Sequence, residues 1–214
     1  MGMAFLLKHL ARYTGGEDTE VSASGDQQKN LLVAQGNPSY METRRRGNGW
    51  TCKTVTPATP VVVIPTTTAH LEIYNNGSRL MVVSDLYMWR LLGTAVGLGE
   101  TIWAMVTTQK AIPTNDALVL YSMSGKALIT PTATIEIVTS EDSTVVANGW
   151  QVFGYPQAYL GAATPGTGQS VAIDGKLVVP PGCSLCVTVT GSVATASAVH
   201  CGATFDLVSA TQES

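Results

Sequence analysis

The stretch from Leu177 to Val208 constrains the fold more than any other part of the chain. Pro180-Pro181-Gly182 makes a tight stop, because two fixed φ angles followed by glycine suit a turn. After it, Cys183, Leu185, Val187 and Val189 alternate with Ser184, Cys186, Thr188 and Thr190, the period of a half-buried strand. A second run places Val199, Cys201, Ala203, Phe205 and Leu207 on one side and His200, Thr204 and Asp206 on the other. The two runs are expected to pair as a hairpin that closes one edge of a β-sandwich.

The rest of the chain from Trp50 onward is rich in Val, Thr, Ile and Ala, the composition of strands. Strand-like runs are expected at Val61–Ile64 (short or at an edge, since Pro60 and Pro65 flank it), Leu71–Tyr74, Leu80–Leu86, Thr101–Thr107, Ala117–Tyr121, Thr134–Val138, Gly149–Phe153, Ser170–Ile173 and Leu177–Val179. Asn75-Asn76-Gly77-Ser78 carries the Asn-Gly signal of a tight hairpin turn. Met88–Leu98 fits a helical stripe of Trp89, Leu92 and Val96 as well as a strand. About ten short strands without strand–helix alternation argue for an all-β sandwich and against an α/β sheet.

Residues 1–49 read differently. Phe5, Leu6, His9, Leu10 and Tyr13 recur at helical spacing, which predicts a short amphipathic helix over Met1–Tyr13. From Glu17 to Gly49 the chain is polar and turn-rich, with Leu31, Leu32 and Val33 as its apolar anchor and Arg44-Arg45-Arg46 near its end. Two regions are therefore expected: an extended N-terminal arm of residues 1–49, ordered by what it touches, and a sandwich domain of residues 50–214. An arginine triplet can grip a phosphate or an acidic neighbour bidentately, but three basic residues fall short of a nucleic-acid patch and also suit a solvated loop.

Composition narrows the function classes. Charged residues make up 13% of the 214 positions while hydrophobic residues make up 45%, so the surface must be built largely from Thr, Ser, Gly and Ala. Such a surface suits a protein packed against other subunits. A net charge of −3 provides no general attraction to nucleic acid or to anionic membranes. No apolar run approaches the roughly 18–20 residues that span a bilayer. The start lacks a secretory pattern, which favours the four cysteines as thiols made in reducing cytosol.

Candidate chemistry is sparse. Cys183, Cys186, His200 and Cys201 are soft ligands of the type zinc prefers, yet strand parity sends Cys183 and Cys201 to the apolar face and Cys186 and His200 to the other. No metal site is expected there, and Cys186 and His200 are left as cross-strand neighbours that could lie at an oligomer interface. His9, His70 and His200 sit in no catalytic signature. The carboxylates Glu136, Glu141, Asp142, Asp174 and Asp206 form no evident acid–base pair. Gly161–Gly168 lacks the lysine and helix of a phosphate cradle. Trp89, Trp103, Trp150 and Tyr155 could line a sugar platform or belong to the core. Neither catalytic residues nor a cofactor is expected.

The run Ile173-Asp174-Gly175-Lys176-Leu177-Val178-Val179-Pro180-Pro181-Gly182-Cys183-Ser184-Leu185, together with the later Ala203-Thr204-Phe205-Asp206-Leu207-Val208, resembles the last strands of jelly-roll structural proteins of tailed-phage virions. The Leu71–Val83 segment is similar to their early hairpin. The resemblance implies a jelly-roll-like β-sandwich and, with a polar arm, a capsid cement or decoration protein: a non-enzymatic bacteriophage virion component, made in the host cytoplasm. Its implied partners are the major capsid protein or other virion subunits and two further copies in a homotrimer, with no membrane and no direct nucleic-acid contact. Leu31, Leu32, Val33, Arg44, Arg45 and Arg46 are the residues expected at the capsid contact. The alternative expectation is a receptor- or glycan-binding module of a head or tail fibre.

Overall fold

The computed structural model describes residues 41–93, 98–108, 118–125, 136–145, 149–158, 167–191 and 197–208. They are nearly all β. One helical turn, α1 (Met41–Arg45), precedes β1 (Gly49–Lys53), β2 (Thr68–Asn75), β3 (Leu80–Gly93), β4 (Leu98–Thr108), β5 (Tyr121–Ser122), β6 (Ile137–Thr144), β7 (Gln151–Ala158), β8 (Thr167–Ala172), β9 (Val178–Val179), β10 (Cys183–Thr190) and β11 (Ser197–Val208). The expected helix at Met1–Tyr13 and the Leu31–Val33 anchor lie outside the described residues.

Two antiparallel sheets pack face to face. The first has the order β5-β1-β11-β3-β8, with β9 also paired to β3, and the second has the order β6-β2-β10-β4-β7. Setting aside the short β5, β6 and β9, the remaining eight strands form two sets of four, β1-β11-β3-β8 and β2-β10-β4-β7. This interleaving of first with last strands is the double Greek key of a jelly roll. The fold class read from the sequence therefore stands.

Alternation explains why these residues form this sandwich. Leu71 and Ile73 of β2, Met81, Val83, Leu86 and Met88 of β3, Ile102 and Ala104 of β4, Leu185, Val187 and Val189 of β10, and Val199, Cys201, Ala203, Phe205 and Leu207 of β11 meet in one buried cluster between the sheets. Each fully buried aliphatic or aromatic side chain contributes about 1.5–3 kcal/mol. At one end the sheets are also joined by a buried ion pair, Arg90 Nε of β3 to Glu100 Oε1 of β4 at 3.8 Å.

Connectivity departs from expectation in two places. β10 and β11 do not form a hairpin: β10 pairs with β2 and β4 in the second sheet, whereas β11 pairs with β1 and β3 in the first. Likewise Asn75-Asn76-Gly77-Ser78 joins β2 to β3 across the sheets rather than within one. The reason is tertiary. Asn75 is fully buried, and its Nδ2 donates to the carbonyl oxygens of Arg79 (2.7 Å) and Val179 (2.9 Å) while its Oδ1 accepts from Gly77 N–H (3.1 Å). Those bonds turn the chain out of one layer and into the other. Arg79 fixes the far side of the corner through Glu136 (Nε–Oε1 2.7 Å) and Asn48 Oδ1 (2.9 Å).

β10 departs in a second respect. It was expected to be half buried, yet Ser184, Cys186 and Thr188 on its other face are as inaccessible as Leu185 and Val187. Cys186 packs in a separate cluster with Ala69, Met105, Val145 and Trp150 on the outer side of the second sheet. The ambiguous Met88–Leu98 stretch is strand as far as Gly93.

Candidate functional site

The expected contact residues divide. Arg44 lies in α1, and its side chain reaches over the end of the first sheet: Nη2 stands 3.5 Å from Asp206 Oδ2 and 4.0 Å from Asp85 Oδ2, and donates to Ser84 Oγ at 2.8 Å. A Cβ built at Gly49 would stand 2.6 Å from Arg44 Cγ, so glycine is what lets the arginine stem cross β1. The Asp206 side chain is completely buried. Burial pushes its carboxyl pKa above the ordinary value, with Arg44 opposing and Asp85 reinforcing that rise. Arg44 is thus committed to holding the chain onto the sandwich. Residues 41–49, expected as the end of an arm ordered by what it touches, belong with the sandwich unit, which runs from Tyr40 to Ala210. Arg45 and Arg46 are exposed and also engaged with neighbouring groups. Leu31, Leu32 and Val33 are outside the described residues.

Cys186 and His200 are corrected. They sit on strands of different sheets and are not cross-strand neighbours. Cys186 is fully buried and unavailable to a partner. His200 is half-buried on the outer face of the first sheet, where its Nδ1 hydrogen-bonds Thr54 Oγ1 at 3.0 Å. The same topology separates the soft-ligand set, and among the described residues no group of three or more His, Cys, Asp or Glu side chains could hold a metal.

The four cysteines are free thiols. Burial pushes the Cys52 thiol up to about 12, and Cys186 and Cys201 are raised by the same cause, so none of the three is a thiolate nucleophile at neutral pH. His70 is buried and its pKa lowered by desolvation; its Nδ1 accepts from Val189 N–H at 3.2 Å, a structural use of the ring.

The aromatic candidates are sorted by what they touch. Trp103 donates its indole N–H to Thr190 Oγ1 (2.8 Å), and Trp150 donates to Thr66 O (2.8 Å) while packing on the Cys186 cluster. Trp89 instead stands 49% exposed on the outer face of the first sheet. The Tyr155 side chain is not among those described.

The site that sequence reasoning missed is the segment between β1 and β2. It is moored at both ends. Ala58 exchanges backbone hydrogen bonds with Val199 (2.8 and 2.9 Å), Val61 N–H donates to Val189 O (2.9 Å), Gly191 N–H donates to Val61 O (2.9 Å), and Pro60 and Pro65 are buried. The backbone N–H groups of Val55 and Thr56 donate to the Glu141 carboxylate. Between these moorings Val62, Val63 and Ile64 project, 55%, 63% and 69% exposed, and Val55 is 64% exposed. Among the described residues the segment makes two strand-like bridges, Ala58 to Val199 and Val61 to Thr190, and Val62, Val63 and Ile64 take part in neither. The prolines were the available signal, since an apolar run unable to join a sheet on either side has nowhere to bury itself.

A prow of three β-branched side chains, Val62, Val63 and Ile64, held out by a fixed backbone can associate with another apolar surface at little cost in ordering. It carries no group able to move a proton or attack a bond. Comparison with protein-family models, with curated proteins and with solved structures found no match to this chain.

Proposed function

We propose that this chain is a non-enzymatic structural subunit of a virion that stabilises a capsid lattice by docking on it, and that it acts as a homotrimer. The observation that carries the docking reading is the Val62-Val63-Ile64 prow, more than half exposed on a moored backbone. Exposed apolar groups of this kind mark interaction surfaces, and rigid ones lose little entropy on binding. The low charge of the chain supports the same reading, because a surface with few ions loses little solvation when covered. The capsid assignment is supported by the resemblance of the Ile173–Leu185 and Leu71–Val83 segments to phage jelly-roll proteins.

Cementing is mass action: a protein that binds the assembled lattice but not its parts adds its binding free energy to the lattice. Three copies multiply weak contacts by avidity. The test is co-sedimentation with the particles that copurify with the protein, alongside light scattering for its own association state. Replacing Val63 and Ile64 together by Asp should leave the thermal midpoint within about 3 °C, a change of no more than about 1 kcal/mol in a domain of this size, while abolishing particle binding. Undiminished binding would remove the prow from the mechanism. Deleting residues 1–40, which stops short of the Arg44 latch, tests the arm separately.

A further inference from the structure

We propose that the outer face of the first sheet is a carbohydrate-binding site, with Trp89 as the platform for an uncharged pyranose ring and Tyr87, Ser170 and His200 around it. The site is distinct from the prow and does not depend on the capsid reading.

The register places these residues. On β3, Tyr87 and Trp89 both point outward, since Leu86 and Met88 point into the core. Trp89 pairs with Gly168 of β8 on one side and His200 of β11 on the other. Tyr87 pairs with Ser170 and Gly202. A Cβ built at Gly168 would overlap Cε3 of Trp89 and lie 2.8 Å from Cζ3, so the six-membered part of the indole has its place because residue 168 is glycine, while about half of the side chain remains open to solvent. Tyr87 leans the opposite way. A Cβ at Gly202 would lie 2.5 Å from its Cε2 and Oη, and the hydroxyl is fixed by Thr51 Oγ1 (2.9 Å) and Cys52 O (3.1 Å).

Glycine inside a strand weakens it and marks a close approach. Here two strands each carry one, and each glycine is closely approached by an aromatic ring from the strand between them. The result is a shallow surface rather than a ridge. Beside Trp89 the floor continues over the exposed Gly168, Ser170 and Ala172 of β8, none of which rises high enough to block a flat ligand. On the opposite margin Tyr121 of β5 is 43% exposed, opposite Thr51.

The chemistry of the face selects the ligand. The polarised C–H groups on one side of a pyranose suit the negative face of an indole, and rigid aromatic platforms bind with little loss of side-chain freedom. Sugar hydroxyls need donors and acceptors at the rim, which Ser170 and the His200 ring supply. Burial and the nearby Lys53 lower the His200 pKa, so the ring is neutral at physiological pH, and with Nδ1 bonded to Thr54 Oγ1 its Nε2 is the nitrogen left for a sugar hydroxyl. Lys53 beside Gly202 and Asp85 beside Thr204 carry opposite charges on this face. Among the described residues no cluster of cations lies beside Trp89, so the face matches a neutral glycan and not a nucleic acid or an acidic polymer, which would need several phosphate- or carboxylate-pairing groups.

The experiment uses the full chain on a broad array of neutral glycans, followed by fluorescence titration with gluco-, manno-, galacto- and N-acetylglucosamine hexasaccharides. Saturable binding that quenches tryptophan emission and changes little between low and high salt is the expected result. Trp89→Ala should weaken it at least about tenfold, the loss of about 1.4 kcal/mol, with Trp89→Phe recovering part and Ser170→Ala losing a few-fold. Both Trp89 variants should unfold at the parent temperature, and Val63→Asp should bind glycan normally, which separates this site from particle docking. Absence of any array signal, binding unaffected by Trp89→Ala, or binding abolished by salt would each overturn the proposal. So would dissociation of an oligomer by Trp89→Ala, which would make the face a contact between copies.

Discussion

The two sheets share one core and one alternation but are finished differently on their outer sides. On the second sheet the outward residues of β10 (Ser184, Cys186 and Thr188) are buried, and Glu72 of β2 is buried with Ser184 Oγ donating to its Oε1 at 2.7 Å. On the first sheet the outward residues include the exposed Trp89, Ser170 and Lys53 and the half-buried Tyr87 and His200. The side chains differ less than the exposure does: both faces mix hydroxyls, an ionisable group or two and an aromatic. What separates them is how far solvent reaches the outward side chains in the middle of each sheet. A polar outward residue in a strand is therefore no promise of solvent, and the place to look for binding is the face that stays open.

Substitutions that add the same charge to each face should break this comparison or sharpen it. Cys186→Glu forces a carboxylate into the cluster of Met105, Val145 and Trp150, and should cost about 4 kcal/mol or more, seen as loss of cooperative unfolding in urea. If that variant folds as well as the parent, the second sheet is not covered as described.

The Arg44 latch should show an intermediate effect. Removing the guanidinium strands the buried Asp206 carboxylate, but Arg44 is 29% exposed and water replaces part of what it supplied, so Arg44→Ala should cost about 1–2 kcal/mol at neutral pH. The pH dependence has a definite sign. Because the folded pKa of Asp206 is raised, its contribution to stability is fully present below the unfolded value of 3.8 and is lost as pH rises through the folded value. Without Arg44 the folded value rises further and the loss extends to higher pH. Asp206→Asn in the Arg44→Ala background should flatten that slope, as measured by urea midpoints from pH 3 to pH 8. A slope equal to the parent's would show that the pair is not coupled.

The smallest effect is expected from Ser170→Glu on the open face. It should change stability by no more than about 0.5 kcal/mol, because the new carboxylate stays in water. A large loss there would show that the first sheet, too, is covered.

Much of the layer structure was legible in the chain. Strict alternation in Val199–Leu207 and Cys183–Val189 identified which side chains enter the core, because a strand has only two faces and one of them must be apolar. Pairing was not legible. Asn75-Asn76-Gly77 reads locally as a hairpin turn, and the bond that makes it a corner runs to Val179, 104 residues away. The latch was hidden for a similar reason: Arg44 in a polar stretch and Asp206 at the end of an apolar strand are ordinary separately. Val61–Ile64 fits a short or edge strand by composition, since its residues are apolar and β-branched, and of the four Val61 alone bridges a strand.

The interleaved topology also sets an order of events. In each sheet the strand flanked on both sides by early partners is a late one: β11 sits between β1 and β3, and β10 between β2 and β4. A chain emerging from the ribosome has made β1 to β4 long before anything exists to join them, and their open edges must wait for the final strands. Such long-range pairing is slow and leaves strand edges exposed in the meantime. Folding of this domain is therefore expected to be post-translational and all at once, and a message truncated before Ser197 should yield an aggregating chain rather than a smaller sandwich.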